Sequence, residues 1–166
     1  MARHGRAALL LLCAGCVPLP LAAVTSQSFQ VSATVTPGCL VVGGVSSYGS
    51  LNFGSRPAQA TGTVQVALTG GVQLQCTPGV TLNMSVDGGQ YNSGGRHLQL
   101  TTGSNRLAYQ LFRDAAFSQS LGIGQSVAVS YSNANNISLP IYGQVQLPGN
   151  QPVGTYSDVL QVQLSW

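Results

Sequence analysis

The stretch Pro152-Val-Gly-Thr-Tyr-Ser-Asp-Val-Leu-Gln-Val-Gln-Leu-Ser-Trp166 decides the reading of the fold. Leu160, Val162, Leu164 and Trp166 fall on alternate positions, which predicts a strand with those four side chains on one face. The strand reaches the final residue, so no later segment is expected to pair with its far edge. Upstream, Phe29, Val31, Ala33 and Val35 alternate with Gln30, Ser32, Thr34 and Thr36, predicting a second strand ahead of the folded body. Together the two ends predict an all-β sandwich that lacks its last strand and carries a spare one at its start. An open apolar edge in water invites aggregation. Another chain is therefore expected to fill the gap, and the function this implies is assembly.

Between these ends, runs of period two recur every dozen residues or so, with turn residues between them. Leu40 to Val42 open the body after Pro37-Gly38, and Tyr48 to Phe53 predict a short strand closed by Gly54, both as pieces of one edge strand. Val64, Val66, Leu68, Val72, Leu74 and Cys76 share parity, with Gly70-Gly71 as a bend. Val80, Leu82, Met84 and Val86 alternate before the tight-turn signal Asp87-Gly88-Gly89. Leu98 and Leu100 make the next strand. Leu107, Tyr109 and Leu111 follow, then Val127, Val129 and Tyr131, then Ile137, Leu139, Ile141, Val145 and Leu147. This spacing is that of a Greek-key β-sandwich. Arg113-Asp114-Ala115-Ala116 has room for one helical turn, too short to offset helix nucleation.

Composition fits one domain. The 166 residues are 44% hydrophobic and 5% charged, with 21 Gly and neither Lys nor Glu, a profile of strands and turns. The N-terminus reads as a secretory signal, residues 1–22, with Arg3 and Arg6 ahead of the apolar run Ala7 to Val17 and cleavage expected after Ala22 or Ala23. That run is too short to suggest a retained membrane span. A rival reading takes Cys13-Ala14-Gly15-Cys16 as a bacterial lipidation box that acylates Cys16. After cleavage, Arg56, Arg96, Arg106 and Arg113 face Asp87, Asp114 and Asp158, so four cations against three anions leave about +1. With no basic run, nucleic acid is not an expected partner. Cys39 and Cys76 then remain as the only pair in an oxidising compartment, and a disulfide is the natural reading. It would close a loop of about 38 residues, a constraint of roughly 4 kcal/mol on the unfolded chain.

Catalytic chemistry is scarce. General acid–base work needs placed titratable groups, and the mature chain offers His97 and three Asp. His97 reads as an exposed strand-edge residue, and no Gly-x-Ser-x-Gly elbow is present. Asp87 and Asp158 read as turn formers that accept backbone N–H groups, in preference to a glycosidase pair. No metal site, catalytic residue or cofactor is expected. Gly122-Ile123-Gly124 is too little for a phosphate loop, and the sequons at Asn83 and Asn136 match a common pattern. Tyr156, two residues after Gly154 and followed by Asp158, has the position of a tyrosine corner that ties a crossover loop to the sandwich. Tyr48, Tyr91, Tyr131 and Tyr142 leave a second function class open, a secreted or lipid-anchored carbohydrate-binding module.

Several segments, in order, resemble one family. They are Ala23-Val24-Thr25 to Gly38-Cys39, Leu51-Asn52-Phe53-Gly54, the strand ending Cys76-Thr77, Val86-Asp87-Gly88-Gly89, Tyr109 to Ala115, Ile141-Tyr142-Gly143, and Gly154 to Asp158 with the terminal strand. The chain resembles the spore coat protein U domain family, which includes the major pilins of archaic, Csu-type chaperone-usher pili. The resemblance implies an incomplete immunoglobulin-like sandwich over 38–166 with a Cys39–Cys76 disulfide, completed by donor-strand exchange. It also implies a periplasmic chaperone, an outer-membrane usher and other copies or related pilins as partners, and a secreted product at the cell surface, as a pilus or a coat, with a role in adhesion or biofilm. The donor role falls on residues 23–37, through Phe29, Val31, Ala33 and Val35. The acceptor groove falls on Leu160, Val162, Leu164 and Trp166 with an early strand around Leu40 to Val42.

Overall fold

The computed structural model describes residues 28–43 and 48–166. The expected signal, its cleavage site, the Cys13 to Cys16 box and the first part of the donor segment lie outside these residues. The chain divides into two units between Thr34 and Val35. In the first, residues 28–34 form no strand, and Phe29 and Val31 are 86% and 80% exposed.

The second unit holds ten strands: β1 (Cys39–Val41), β2 (Thr61–Ala67), β3 (Leu74–Cys76), β4 (Asn83–Val86), β5 (Arg96–Leu100), β6 (Arg106–Phe112), β7 (Val127–Ala128), β8 (Tyr142–Pro148), β9 (Tyr156–Ser157) and β10 (Val162–Ser165). No helix occurs among the described residues. A five-stranded sheet runs β2-β8-β6-β5-β9, a three-stranded sheet β10-β4-β7, and β1 pairs with β3. Every ladder pairing is antiparallel. Leu74, Met84 and Val86 from the smaller sheets and Tyr109, Leu111 and Val145 from the larger one meet in a single core. That is the two-layer sandwich that alternation demands, because each strand hides one face. On the outer face, polar side chains pair across strands, Thr63 with Gln146 at 2.6 Å and Gln65 with Gln144 at 2.8 Å.

The run from Val64 to Cys76 keeps its parity but splits between two sheets. β2 pairs with β8, and β3 pairs with β1. The change falls at Gly70, whose φ of 64° suits glycine. The strand expected at Tyr48 to Phe53 reduces to one bridge, Ser50 to Thr69. His97 is half-buried, not exposed; β9 pairs with β5 only at Gln99 and Leu100, so at His97 the ladder partner among the described residues is β6 alone, and the imidazole Nδ1 sits 2.9 Å from the Gly95 carbonyl. The terminal segment is two strands, not one: β9 pairs with β5, while β10 pairs with β4. Residues 158–161 cross from one sheet to the other.

Cys39 and Cys76 face each other in the β1–β3 register and form the disulfide. It fastens the three-residue β1 to the body, which one short ladder would hold weakly. Replacing both by Ala should lower unfolding stability by about 2–5 kcal/mol. The check is the denaturant midpoint of the doubly substituted protein against the oxidised parent.

Candidate functional site

Among the described residues β10 has one strand neighbour, β4, and β1 has one, β3. Along the segment that leads into β10 lies a groove built of two adjoining clefts of about 620 and 750 Å³, which share Ser50, Leu51, Phe53, Leu98 and Asp158 and reach β10 at Val162. One side is the irregular segment Tyr48 to Ala60; the other is Gln151 to Val162. The floor is apolar, with Leu68, Tyr109 and Ile141 in the first cleft and Val64, Leu107, Val145 and Leu147 in the second. Gly143 lets the first side lie down. A Cβ there would stand 3.0 Å from Phe53 Cζ and 3.1 Å from Leu51 Cδ1.

Leu160 and Val162 are half-buried and line the groove. Leu164 is half-buried against the core, and Trp166 is 58% exposed with its Nε1 3.6 Å from where a Gly38 Cβ would be. Neither lines the clefts. Leu40 and Val42 are 64% and 37% exposed, and the side facing Leu160 is formed by Tyr48, Leu51 and Phe53 instead. Alternation marked Tyr48 to Phe53 as a strand but not as a side of the groove, and 54–60 has no strand period.

Gly154, Tyr156 and Asp158 shape the approach to the groove. The Tyr156 hydroxyl donates to the Pro152 carbonyl at 3.0 Å. Gly154 has φ 146°, and a Cβ on it would meet Leu100 Cδ1 at 2.5 Å. Asp158 accepts the Gln90 and Val159 amides at 2.8 and 2.9 Å, and the Tyr109 hydroxyl at 2.8 Å. Asp87 answers it from the other side, accepting Gly89 N–H at 3.0 Å and Gln161 N–H at 2.9 Å. Two backbone bonds complete the clasp, Asp87 N–H to Gln161 O at 3.0 Å and Gln90 N–H to Val159 O at 3.2 Å.

Behind the clasp is the only charged side chain that is buried among the described residues, Arg96, 5% exposed. It donates to the carbonyls of Asp87 (2.8 Å), Leu121 (2.7 Å), Val86 (2.9 Å) and Gly122 (3.3 Å). Burial pushes the guanidinium below its ordinary value, while Tyr109, Asp87 and Asp158 oppose that shift. Burial and the Asp158 bond push the Tyr109 phenol well up. No set of three or more His, Cys, Asp or Glu able to hold a metal occurs among the described residues. No described helix is long and apolar enough to cross a membrane.

Fold and groove together define a class, the immunoglobulin-like β-sandwich with an open edge beside its terminal strand. The chain belongs to the Spore Coat Protein U domain family, whose model matches residues 25–163. Its structure is similar to a chain of the CsuC–CsuE chaperone–tip adhesion subunit pre-assembly complex from the archaic chaperone-usher Csu pili of Acinetobacter baumannii. The identity there is 17% and the TM-score 0.55, over 80% of this chain and 41% of that one. A chain from a chaperone–tip adhesin complex of CFA/I fimbriae biogenesis matches at 14% identity and TM-score 0.47, over 78% and 41% of the two chains. This chain thus spans less than half the length of either. No curated protein matches it.

A phenol whose pKa is raised on folding contributes stability that is full below its unfolded value of 10.0 and is lost as pH rises through the folded value. Stability should therefore fall from about pH 10 upward. Tyr109→Phe should cost about 1–3 kcal/mol at neutral pH, by leaving Asp158 short of a donor, and should flatten that alkaline decline. Denaturant titrations of both proteins at neutral pH and across the alkaline range check the two parts.

Proposed function

We propose that this protein is a non-enzymatic structural subunit of a surface fibre or coat, assembled when the groove beside β10 takes up an N-terminal strand from another copy or a related subunit. The observation that carries this reading is the groove with an apolar floor that runs along Gln151 to Val162 and meets the unpaired edge of β10 at its first residue. The side from Tyr156 to Val162 is seven residues long, as is the donor run from Phe29 to Val35; each spans roughly 23 Å when extended. A strand laid there would place alternate side chains in the clefts and, continued past Val162, would pair with the free edge of β10, the logic of β-strand addition. Burying Phe29, Val31, Ala33 and Val35 would contribute roughly 5–9 kcal/mol gross.

The family membership and the likeness to a chaperone-bound pilus subunit complex support the rest of the reading. Residues 1–22 direct export, 23–37 form the donor segment and 38–166 the accepting body. A periplasmic chaperone covers the groove until an outer-membrane usher passes the subunit to the surface, where the fibre serves adhesion or biofilm. The groove's apolar floor suits this role, since exposed surface of that kind demands a cover.

Deleting Val24 to Thr36, or replacing Phe29 by Arg, should abolish polymers while leaving the body folded, because an unpaired charge is costly in a dry cleft. Val162→Arg should do the same from the acceptor side. Polymer ladders on unheated gels, with circular dichroism as the folding control, read the outcome. Ladders of wild-type length from either N-terminal variant would overturn the donor assignment.

A further inference from the structure

A strand paired on one side only is held by half the usual ladder, yet β10 must keep its register if its outer edge is to accept a partner. β4 and β10 pair from Asn83–Ser165 to Val86–Val162. Beyond that ladder the terminal segment leaves for the other sheet, and two backbone bonds there, Asp87 N–H to Gln161 O and Gln90 N–H to Val159 O, are matched by two from carboxylates, Asp87 on the Gln161 amide and Asp158 on the Gln90 amide. Both contacts converge on the end of β4, whose carbonyls at Val86 and Asp87 are gripped by Arg96 from β5 in the opposite sheet. The same guanidinium holds Leu121 and Gly122, and the Gly124 amide bonds Val86 O at 2.9 Å. One buried cation thus ties β5, the end of β4 and the 121–124 loop. Tyr109, which pairs with Arg96 across β5 and β6, joins it to Asp158.

We propose that Arg96 is a positioning residue for strand uptake: it fixes the end of β4, and through Asp87 and Asp158 the crossing segment 158–161, so that β10 stands in register while its outer edge is empty. This rests on the reading of the groove as a strand acceptor. Arg96 touches no groove occupant itself. Its guanidinium offers a planar fan of donors that one lysine ammonium cannot match in position, so Arg96→Lys keeps the charge and loses the geometry. Asp158→Asn is the gentler second variant. It keeps an oxygen for the Gln90 and Val159 amides and removes the carboxylate that the Tyr109 hydroxyl bonds.

The test follows amide hydrogen exchange in the full chain and both variants, with and without a synthetic peptide of residues 24–36, together with the rate of peptide uptake. In the peptide-free variants, exchange at Gln90, Val159 and Gln161 should quicken roughly tenfold while the β6 and β8 amides hold. Peptide binding should restore it, and uptake should slow by a comparable factor. Faster exchange spread over all strands, unchanged by peptide, would mark Arg96 as a general stabiliser and overturn the proposal, as would wild-type uptake by either variant. A wild-type protein that takes up no peptide would instead sink the strand-acceptor reading, and the peptide-free exchange pattern would still decide the clasp.

Discussion

A strand with a single neighbour shows water a row of N–H and C=O groups on its other side, and among the described residues β10 is such a strand, with the apolar floor of the groove starting at its first residue, Val162. Proteins commonly blunt such edges with charge, proline or a covering loop. Here the residues along it are Val162, Gln163, Leu164 and Ser165, with no charge among them. Backbone groups want partners and the floor wants cover, and one extended strand would meet both needs. Everything else in the body serves to keep the two sides of that groove apart and in place.

The two sides are held by different chemistry. The early side is held by the Ser50–Thr69 bridge and laid over β8 where Gly143 offers bare backbone to Leu51 and Phe53. The late segment is anchored by carboxylates and a buried guanidinium. Arg96 escapes the usual cost of a buried charge because four carbonyls take its protons and the anions Asp87 and Asp158 lie near. Breaking one partner of such a set is more damaging than the net worth of the set suggests. A polar anchor also has directional demands that an apolar contact lacks, which suits a segment that must change sheets at a defined residue.

Alternation made the faces legible and left the partners open. Val64, Leu68, Leu74 and Cys76 share parity in the sequence and all turn inward, but parity is silent on whether a run stays in one sheet. Gly70 ends β2's stay in the larger sheet, and contacts across 68 and 74 residues hold the crossing at 158–161. Asp87 was legible as a turn former and accepts the Gly89 amide two residues on, whereas Asp158, which lies outside any turn, bonds the next amide and the Gln90 amide; the bonds of the two Asp to each other's segments depend on the fold. Arg96 went unnoticed although a signal existed. It shares parity with Leu98 and Leu100, the inward residues of β5, and a cation at such a position has to find carbonyls or anions inside. The segment from Gly54 to Ala60 was opaque for the opposite reason: it makes no ladder, so no period marks it.

The scarcity of charge follows from the same design. With 5% charged residues, the outer face relies on Thr and Gln pairs such as Thr63 with Gln146 and Gln65 with Gln144. Uncharged amides hydrate well and repel nothing, so copies packed in series meet no like-charge penalty, which for charged surfaces grows as spacing falls. A monomer built this way lacks the net charge that keeps ordinary proteins apart in solution. The open groove and the sparsely charged surface both suit the proposed strand uptake, in which subunits come close together.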